Sequence, residues 1–297
     1  MSTSSPSAPR PGTLPGGSLD LADGLTLTRV GYGAMQLAGP GVWGPPRDHD
    51  EAVAVLREAV ALGITHIDTS DYYGPYTVNA VIKEALHPYP EELHLVTKVG
   101  ARRDPDKSWP PALSRAELTS AVHDNLDHLG LDALDVVNLR VGGIMEPVPG
   151  SLAEPFSVLA ELREQGLIRH LGVSGVTPDQ LTEAQSIAPV VCVQNFYNLA
   201  HRDDDDLVDR CAREGIAYTS FFPLGGFSPL QSGVLETVAA RHGATPFQTA
   251  LAWLLRRSPT TLLIPGTSSV AHLRENVAGA GLDLTEEDIK ELDTIGG

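Results

Sequence analysis

Leu134-Asp-Val-Val-Asn-Leu-Arg140, His170-Leu-Gly-Val-Ser174 and Val190-Val-Cys-Val-Gln194 are three short, mostly apolar runs near the middle of a 297-residue chain. Between them lie Ser151–Gln165 and Pro178–Ile187, where apolar residues recur at helical spacing. Strand, helix, strand, helix, strand is the signature of parallel βαβ units. The alternation continues outward in both directions. Arg29–Met35, Ile64–Asp68 and His94–Lys98 precede it, and Ala217–Phe222 and Thr261–Pro265 follow. Helical patterns at Asp50–Leu62, Ser114–Leu129, Asp204–Glu214 and Gln231–Arg241 fill the gaps. Eight strand-like runs separated by helices in about 280 residues predict an α/β fold, a (β/α)8 TIM barrel. Leu19–Leu27, turning at Asp23–Gly24, predicts an N-terminal β-hairpin that caps the bottom of the barrel. No linker interrupts the chain after Ser18, so 18–297 reads as one barrel. Residues 1–17, rich in Ser, Pro and Gly, read as a disordered tail.

Composition narrows the function. Asp and Glu number 38 against 21 Lys and Arg, a formal charge of −17. That balance argues against a nucleic-acid partner, because phosphate recognition needs a basic face. No apolar run reaches the roughly 18 residues of a membrane span, and the N-terminus lacks a secretory pattern. Cys192 and Cys211 are too few for a disulfide framework and point to a reducing, cytoplasmic compartment. The acidic run Asp203–Asp206 suits a helix N-terminus better than a metal, and no metal is expected. Ser114/Glu117, Ser151/Glu154 and Thr285/Asp288 have capping-box spacing.

The chemistry of such barrels sits at the C-terminal ends of the strands. Here five consecutive core runs end in Asp68, Lys98, Arg140, Ser174 and Gln194, and the next in Phe221–Phe222. These positions converge on one pocket. Tyr73 follows Asp68 by one loop. A buried lysine beside it should lower its pKa from about 10, with the carboxylate holding the lysine charged. The trio would exchange a proton with a carbonyl or alcohol oxygen.

The chain resembles the aldo-keto reductase superfamily from about Leu19 to Ile295. The resemblance is carried by His66-Ile-Asp-Thr-Ser-Asp-Tyr-Tyr-Gly74, Leu95-Val-Thr-Lys98, Leu129-Gly-Leu-Asp132, Leu171-Gly-Val-Ser174, Val193-Gln-Asn195, Phe222-Pro-Leu-Gly225 and Ile264-Pro-Gly-Thr267. It implies Tyr73 as general acid, supported by Asp68 and Lys98. Arg140 stands where the family has His, so it can donate to a substrate oxygen or anion but not relay a proton. Ser174 and Gln194 would hold the nicotinamide carboxamide, with Gly175 in place of the usual Asn, and Phe221 would stack on the nicotinamide. Gly33, Ala34 and Met35 belong to the same cofactor set.

The resemblance places the pyrophosphate near Leu224, Gly225 and Gly226. The adenine end falls at Gly266, Thr267, Ser268 and Ser269, with Glu275 and Asn276 contacting adenine. Gly266 and His272 replace a Lys and an Arg that grip the 2′-phosphate in relatives. Ser268, Ser269, His272 and Arg274 remain for that phosphate, and NADP(H) is favoured over NAD(H). Within the family the chain is similar to a bacterial pyridoxal reductase-like group. This implies reduction of an aldehyde, with pyridoxal leading, and Trp43, Tyr72, Trp109 and Arg140 as substrate walls. Phe196 and Gly175 depart from that group. Two other readings stay open, namely another carbonyl or imine substrate, and a cofactor-sensing regulatory subunit.

Overall fold

The computed structural model describes residues 14–143, 145–223, 225 and 231–296. β1 (Ser18–Ala22) and β2 (Leu25–Thr28) pair antiparallel. Eight strands then run parallel in chain order: β3 (Tyr32–Gly33), β4 (His66–Asp68), β5 (His94–Val99), β6 (Leu134–Arg140), β7 (Ile168–Ser174), β8 (Val190–Phe196), β9 (Ala217–Phe221) and β10 (Thr261–Leu263). Parallel bridges from Val30 to Leu263 and from Gly33 to Gly266 bring the last strand back to the first. Glycine is required at that seam: a Cβ on Gly33 would sit 2.4 Å from the Ile264 carbonyl oxygen.

The helices are α1 (His49–Ala61), α2 (Thr77–Leu86), α3 (Arg115–Leu129), α4 (Ala153–Glu164), α5 (Pro178–Ile187), α6 (Asp205–Glu214), α7 (Gly233–Arg241), α8 (Pro246–Arg257), α9 (Val270–Gly279) and α10 (Glu286–Leu292). Their starts follow local chemistry. Ser114/Glu117 and Thr285/Asp288 form reciprocal capping boxes, as do Thr177/Gln180 and Thr245/Gln248, each followed by proline. The run at Asp203–Asp206 opens α6, with Asp205 and Asp206 in its first turn.

The hairpin forms the floor. Leu25 and Leu27 pack with Val96, Val136, Val191, Cys192, Ala217 and Leu262 inside the barrel. No helix among the described residues is long and apolar enough to cross a membrane. Both cysteines are buried and unpaired.

Three local expectations are corrected. The first strand, expected over Arg29–Met35, is only Tyr32–Gly33, because Ala34–Leu37 coils into a 3-10 turn. Before the strand, Arg29 to Gly31 make only a single bridge to Leu263 among the described residues, and the Arg29 guanidinium donates to the carbonyls of Leu255 and Ser258 at 2.6 Å each, satisfying orphan acceptors at the end of α8. Ser151/Glu154 is not a capping box. α4 begins one residue later, and the Glu183 carboxylate of α5 accepts from Ser151 Oγ and Leu152 N instead. The expected tail, 1–17, is too long. Its residues 1–13 lie outside the described residues, but Leu14–Gly17 make a turn that buries Leu14 and lays Gly17 O against Arg29 N at 2.8 Å.

Candidate active site

The strand ends open into one cavity of about 760 Å³. Asp68, Tyr73, Lys98, Arg140, Gln194 and Phe221 line one end of it, with Tyr72 and Trp109. Strand register explains the meeting: Asp68 lies beside Val96 across β4–β5, and Arg140 opposite Ser174 across β6–β7.

At the centre is a buried ionic cluster. Lys98 Nζ donates to Asp68 Oδ1 at 2.6 Å and to the Thr69 carbonyl at 2.9 Å. Gln194 Nε2 donates to the other oxygen, Asp68 Oδ2, at 2.8 Å. Because a carboxylate only accepts, this bond fixes which end of the Gln194 amide is nitrogen. Gln194 Oε1 is therefore left buried with no partner among the described residues. Lys98 Nζ also lies 5.2 Å from the centroid of the Tyr73 ring.

The expected lowering of the Tyr73 pKa does not occur. Burial drives it up, the Asp68 carboxylate adds to the rise, and the Arg140 charge only partly opposes it. Lys98 spends its charge on Asp68 and faces the ring, which is why it does not ionise the phenol. Tyr73 is held protonated, the form that an acid catalyst needs. Burial, with Tyr73 beside it, pushes Tyr72 up to about 12.

Arg140 donates to Ser174 Oγ at 3.2 Å and to the Gly143 carbonyl at 2.6 Å, and its guanidinium carbon lies 5.3 Å from the Phe221 ring centroid. Phe196 supports Phe221 from behind at 5.9 Å between centroids. Ser174 is wholly buried and does not line the cavity; its hydroxyl is Arg140's acceptor. Gly175 adopts φ +67° against Gly142, where a Cβ would meet the Gly142 backbone at 3.0 Å. Asn195 Oδ1 caps this turn instead, accepting from Gly175 N and Val176 N.

The aromatic wall is Tyr72, Tyr73 and Trp109, with edge-on centroids 5.4 to 6.4 Å apart. Trp43 is not part of it. The Arg103 guanidinium stacks on Trp109 at 3.8 Å and on Trp43 at 5.3 Å, so Trp43 backs the wall through an arginine.

The cavity extends past Gly33 and Met35 to Gly266, Thr267, His272, Glu275 and Asn276. Ala34 is buried behind it, and Ser268, Ser269 and Gly225 do not line it. Leu224 and Gly226 lie outside the described residues. Arg274 is tied to Glu58 at 2.7 Å, and Glu51 Oε1 accepts from Val270 N at 3.0 Å. Carboxylates of α1 thus already occupy donors at the start of α9, a feature no local motif announces. Gln36, Thr245, Phe247 and Gln248 line the cavity without having been singled out. Thr245-Pro-Phe-Gln248 carried a readable signal, a capping-box spacing with proline at the first helical position.

These residues fit a nicotinamide cofactor. The unpartnered Gln194 Oε1 is an acceptor for a carboxamide N–H, Phe221, level with Phe196 on the neighbouring strand, offers a ring in the same cavity, and that cavity continues to Gly266, His272 and Asn276.

Comparison with known proteins agrees. The model of the Aldo/keto reductase family matches residues 29–296. Pyridoxine 4-dehydrogenase of Escherichia coli is 62% identical over 272 residues, covering 91% of this chain and 95% of that one. An uncharacterised oxidoreductase of Schizosaccharomyces pombe is 37% identical, over 94% and 90% of the two chains. Among solved structures, a thermostable aldo-keto reductase bound to the inhibitor epalrestat superposes with a TM-score of 0.80 at 34% identity, over 94% of this chain and 99% of that one. One from Klebsiella pneumoniae, bound to NADP and acetate, gives 0.76 at 25% identity, over 93% and 94%.

Proposed function

As the chain belongs to the aldo/keto reductase family, we propose that it reduces pyridoxal to pyridoxine at the expense of NADPH. The observation that carries this reading is the hydrogen-bonded cluster of Asp68, Lys98 and Gln194 beside a protonated Tyr73, all facing one cavity. Bound reduced nicotinamide supplies the hydride. Gln194 Oε1 would accept from the carboxamide, the bond from its Nε2 to Asp68 holding that oxygen free of the carboxylate, and Phe221 would offer its ring to the nicotinamide. Tyr73 gives its proton to the carbonyl oxygen as the carbon is reduced. The tyrosinate left behind is favoured by the Arg140 charge.

Trp109 and Tyr72 supply flat apolar surface for an aromatic aldehyde. Two buried thiols suit a reducing compartment, and we place the enzyme in the cytoplasm. Pyridoxal-dependent oxidation of NADPH, followed by loss of nicotinamide absorbance, tests the proposal. No turnover of pyridoxal with either reduced nucleotide, in protein that binds the nucleotide, would overturn it.

A further inference from the structure

Two consecutive arginines in the loop after β5 are used in opposite ways. Arg102 faces solvent and pairs with Asp104 at 3.2 Å and with Glu117 at 3.1 Å. Arg103 turns inward. Its polar partners are backbone carbonyls: Nη1 donates to Val42 O and Nη2 to Gly41 O, each at 3.1 Å. Its Nε is buried with no partner among the described residues. The guanidinium carbon lies 3.8 Å from the Trp109 ring centroid and 5.3 Å from that of Trp43. Val42 is β-branched yet held at φ 56°, a conformation that persists only where its surroundings impose it. Its carbonyl also accepts, at 3.2 Å, from Gly74 N, the residue after Tyr73. Trp109 lines the cavity and meets Tyr72 and Tyr73 edge-on at 5.4 and 6.4 Å. These contacts close a circuit from Tyr73 through Gly74, Val42, Arg103 and Trp109 back to Tyr73, joining the loops that follow β3, β4 and β5. The Ala101–Pro111 bridge already clamps the base of the last loop. What Arg103 adds is the setting of the Trp109 ring.

We propose that Arg103 is a positioning residue for the substrate: through its planar guanidinium it pins the Trp109 ring, so that the aromatic wall stands formed before an aldehyde arrives. This rests on the carbonyl-reductase reading above. Arg103 is not among the residues that line the cavity and acts through Trp109. The gain is preorganisation. A ring free to change rotamer must be ordered by every substrate that uses it, and affinity then falls by about 2–10-fold for one large side chain. Arginine suits the place because one flat group can lie on an indole face and present two N–H groups to two carbonyls. Lysine lacks both the plane and the fork. The acid keeps its own supports when Arg103 is lost. Tyr73 N donates to Ser70 O at 3.0 Å and Tyr76 N to Asp71 O at 2.8 Å, folding the loop after β4 upon itself. The wall loosens while the proton donor stays in place.

The test is steady-state kinetics of the full chain with pyridoxal and NADPH, read as a split between KM and kcat. Arg103→Met should raise KM for pyridoxal about 2–10-fold and leave kcat and the NADPH dissociation constant within about twofold of native. Arg103→Lys keeps the charge and should behave like Arg103→Met. Trp109→Leu should raise KM as well, and Arg103→Met on top of it should add nothing, because the ring to be held is gone. An unchanged KM, an equal fall in kcat, additive effects of the two substitutions, or full rescue by lysine would overturn the inference. A second readout does not depend on turnover. Acrylamide quenching of tryptophan fluorescence should rise in Arg103→Met as Trp43 and Trp109 lose their cover, whereas Trp253, 1% exposed, stays shielded. Should Arg103→Met fail to fold, Arg103→Lys gives the same two readouts. Failure of the native enzyme to reduce pyridoxal sinks the proposed function and leaves quenching to decide this assignment; unchanged quenching sinks this assignment alone.

Discussion

The two ends of the cavity are built on different principles. At the chemical end, Asp68, Lys98 and Gln194 stand on strands, are buried, and fix one another by direct hydrogen bonds. At the end proposed for the nucleotide, His272 and Glu275 are exposed, and α9 is held by Glu51 at its first residue and Glu58 at Arg274, from a helix more than 200 residues earlier. Burial makes each group at the first end hard to replace. Exposure makes the second end adjustable, because water and salt screen every interaction there.

Substitutions can break or sharpen that contrast. Tyr73→Phe removes the only proton donor placed on the carbonyl in the proposed reaction, and kcat/KM should fall by about 10²–10⁴-fold while nucleotide affinity, read by fluorescence titration, changes little. Asp68→Asn strands Lys98 as an unpaired buried cation. It should cost about 3–5 kcal/mol in a denaturant titration, and a loss under about 1 kcal/mol would mean the cluster is as well solvated as the nucleotide end.

His66, one strand position pair below Asp68, gives a pH test. Its imidazole is wholly buried, and burial lowers its pKa to about 4. The folded protein holds the ring neutral while the unfolded chain protonates near 6.5, so this contribution is complete above that pH and drains away toward pH 4. The slope should amount to on the order of 3 kcal/mol and should vanish in His66→Gln. A native stability flat between those pH values would show the imidazole open to water.

The smallest effect belongs to the adjustable end. Glu51→Gln removes a negative charge from the α9 amides, so NADPH should bind about 2–5-fold tighter, more so at low salt, with NADH unchanged. Equal shifts for both nucleotides would reduce Glu51 to a helix cap.

Legibility in the sequence follows the same division. Strand ends are readable because alternation and burial force a polar residue at the end of an apolar run to face the mouth. Asp68, Lys98, Arg140 and Gln194 were found that way. The turn-capping role of Asn195 carries no local signal, because its bonds to Gly175 and Val176 reach back 20 and 19 residues to the turn after another strand. The α1 carboxylates are similarly silent: a Glu in a first helical turn looks like any other. Trp43 was misplaced because an aromatic residue in a loop carries no sign of the arginine that stacks on it. The direction of the Tyr73 shift depended on how Lys98 divides its charge, which only coordinates reveal.

The contact between Gly142 and Gly175 has an evolutionary consequence. With Gly175 at positive φ and the backbones almost touching, an asparagine at 175 would be strained and obstructed at once. Arg140, which hangs between Ser174 and Gly143, shares that stretch of chain. Replacing Gly175 alone by a side-chain-bearing residue would therefore disturb Gly142 and the arginine's partners together. The loop after β6, the loop after β7 and the arginine between them form a single heritable unit, and substrate range along this branch should change by exchange of the unit as a whole.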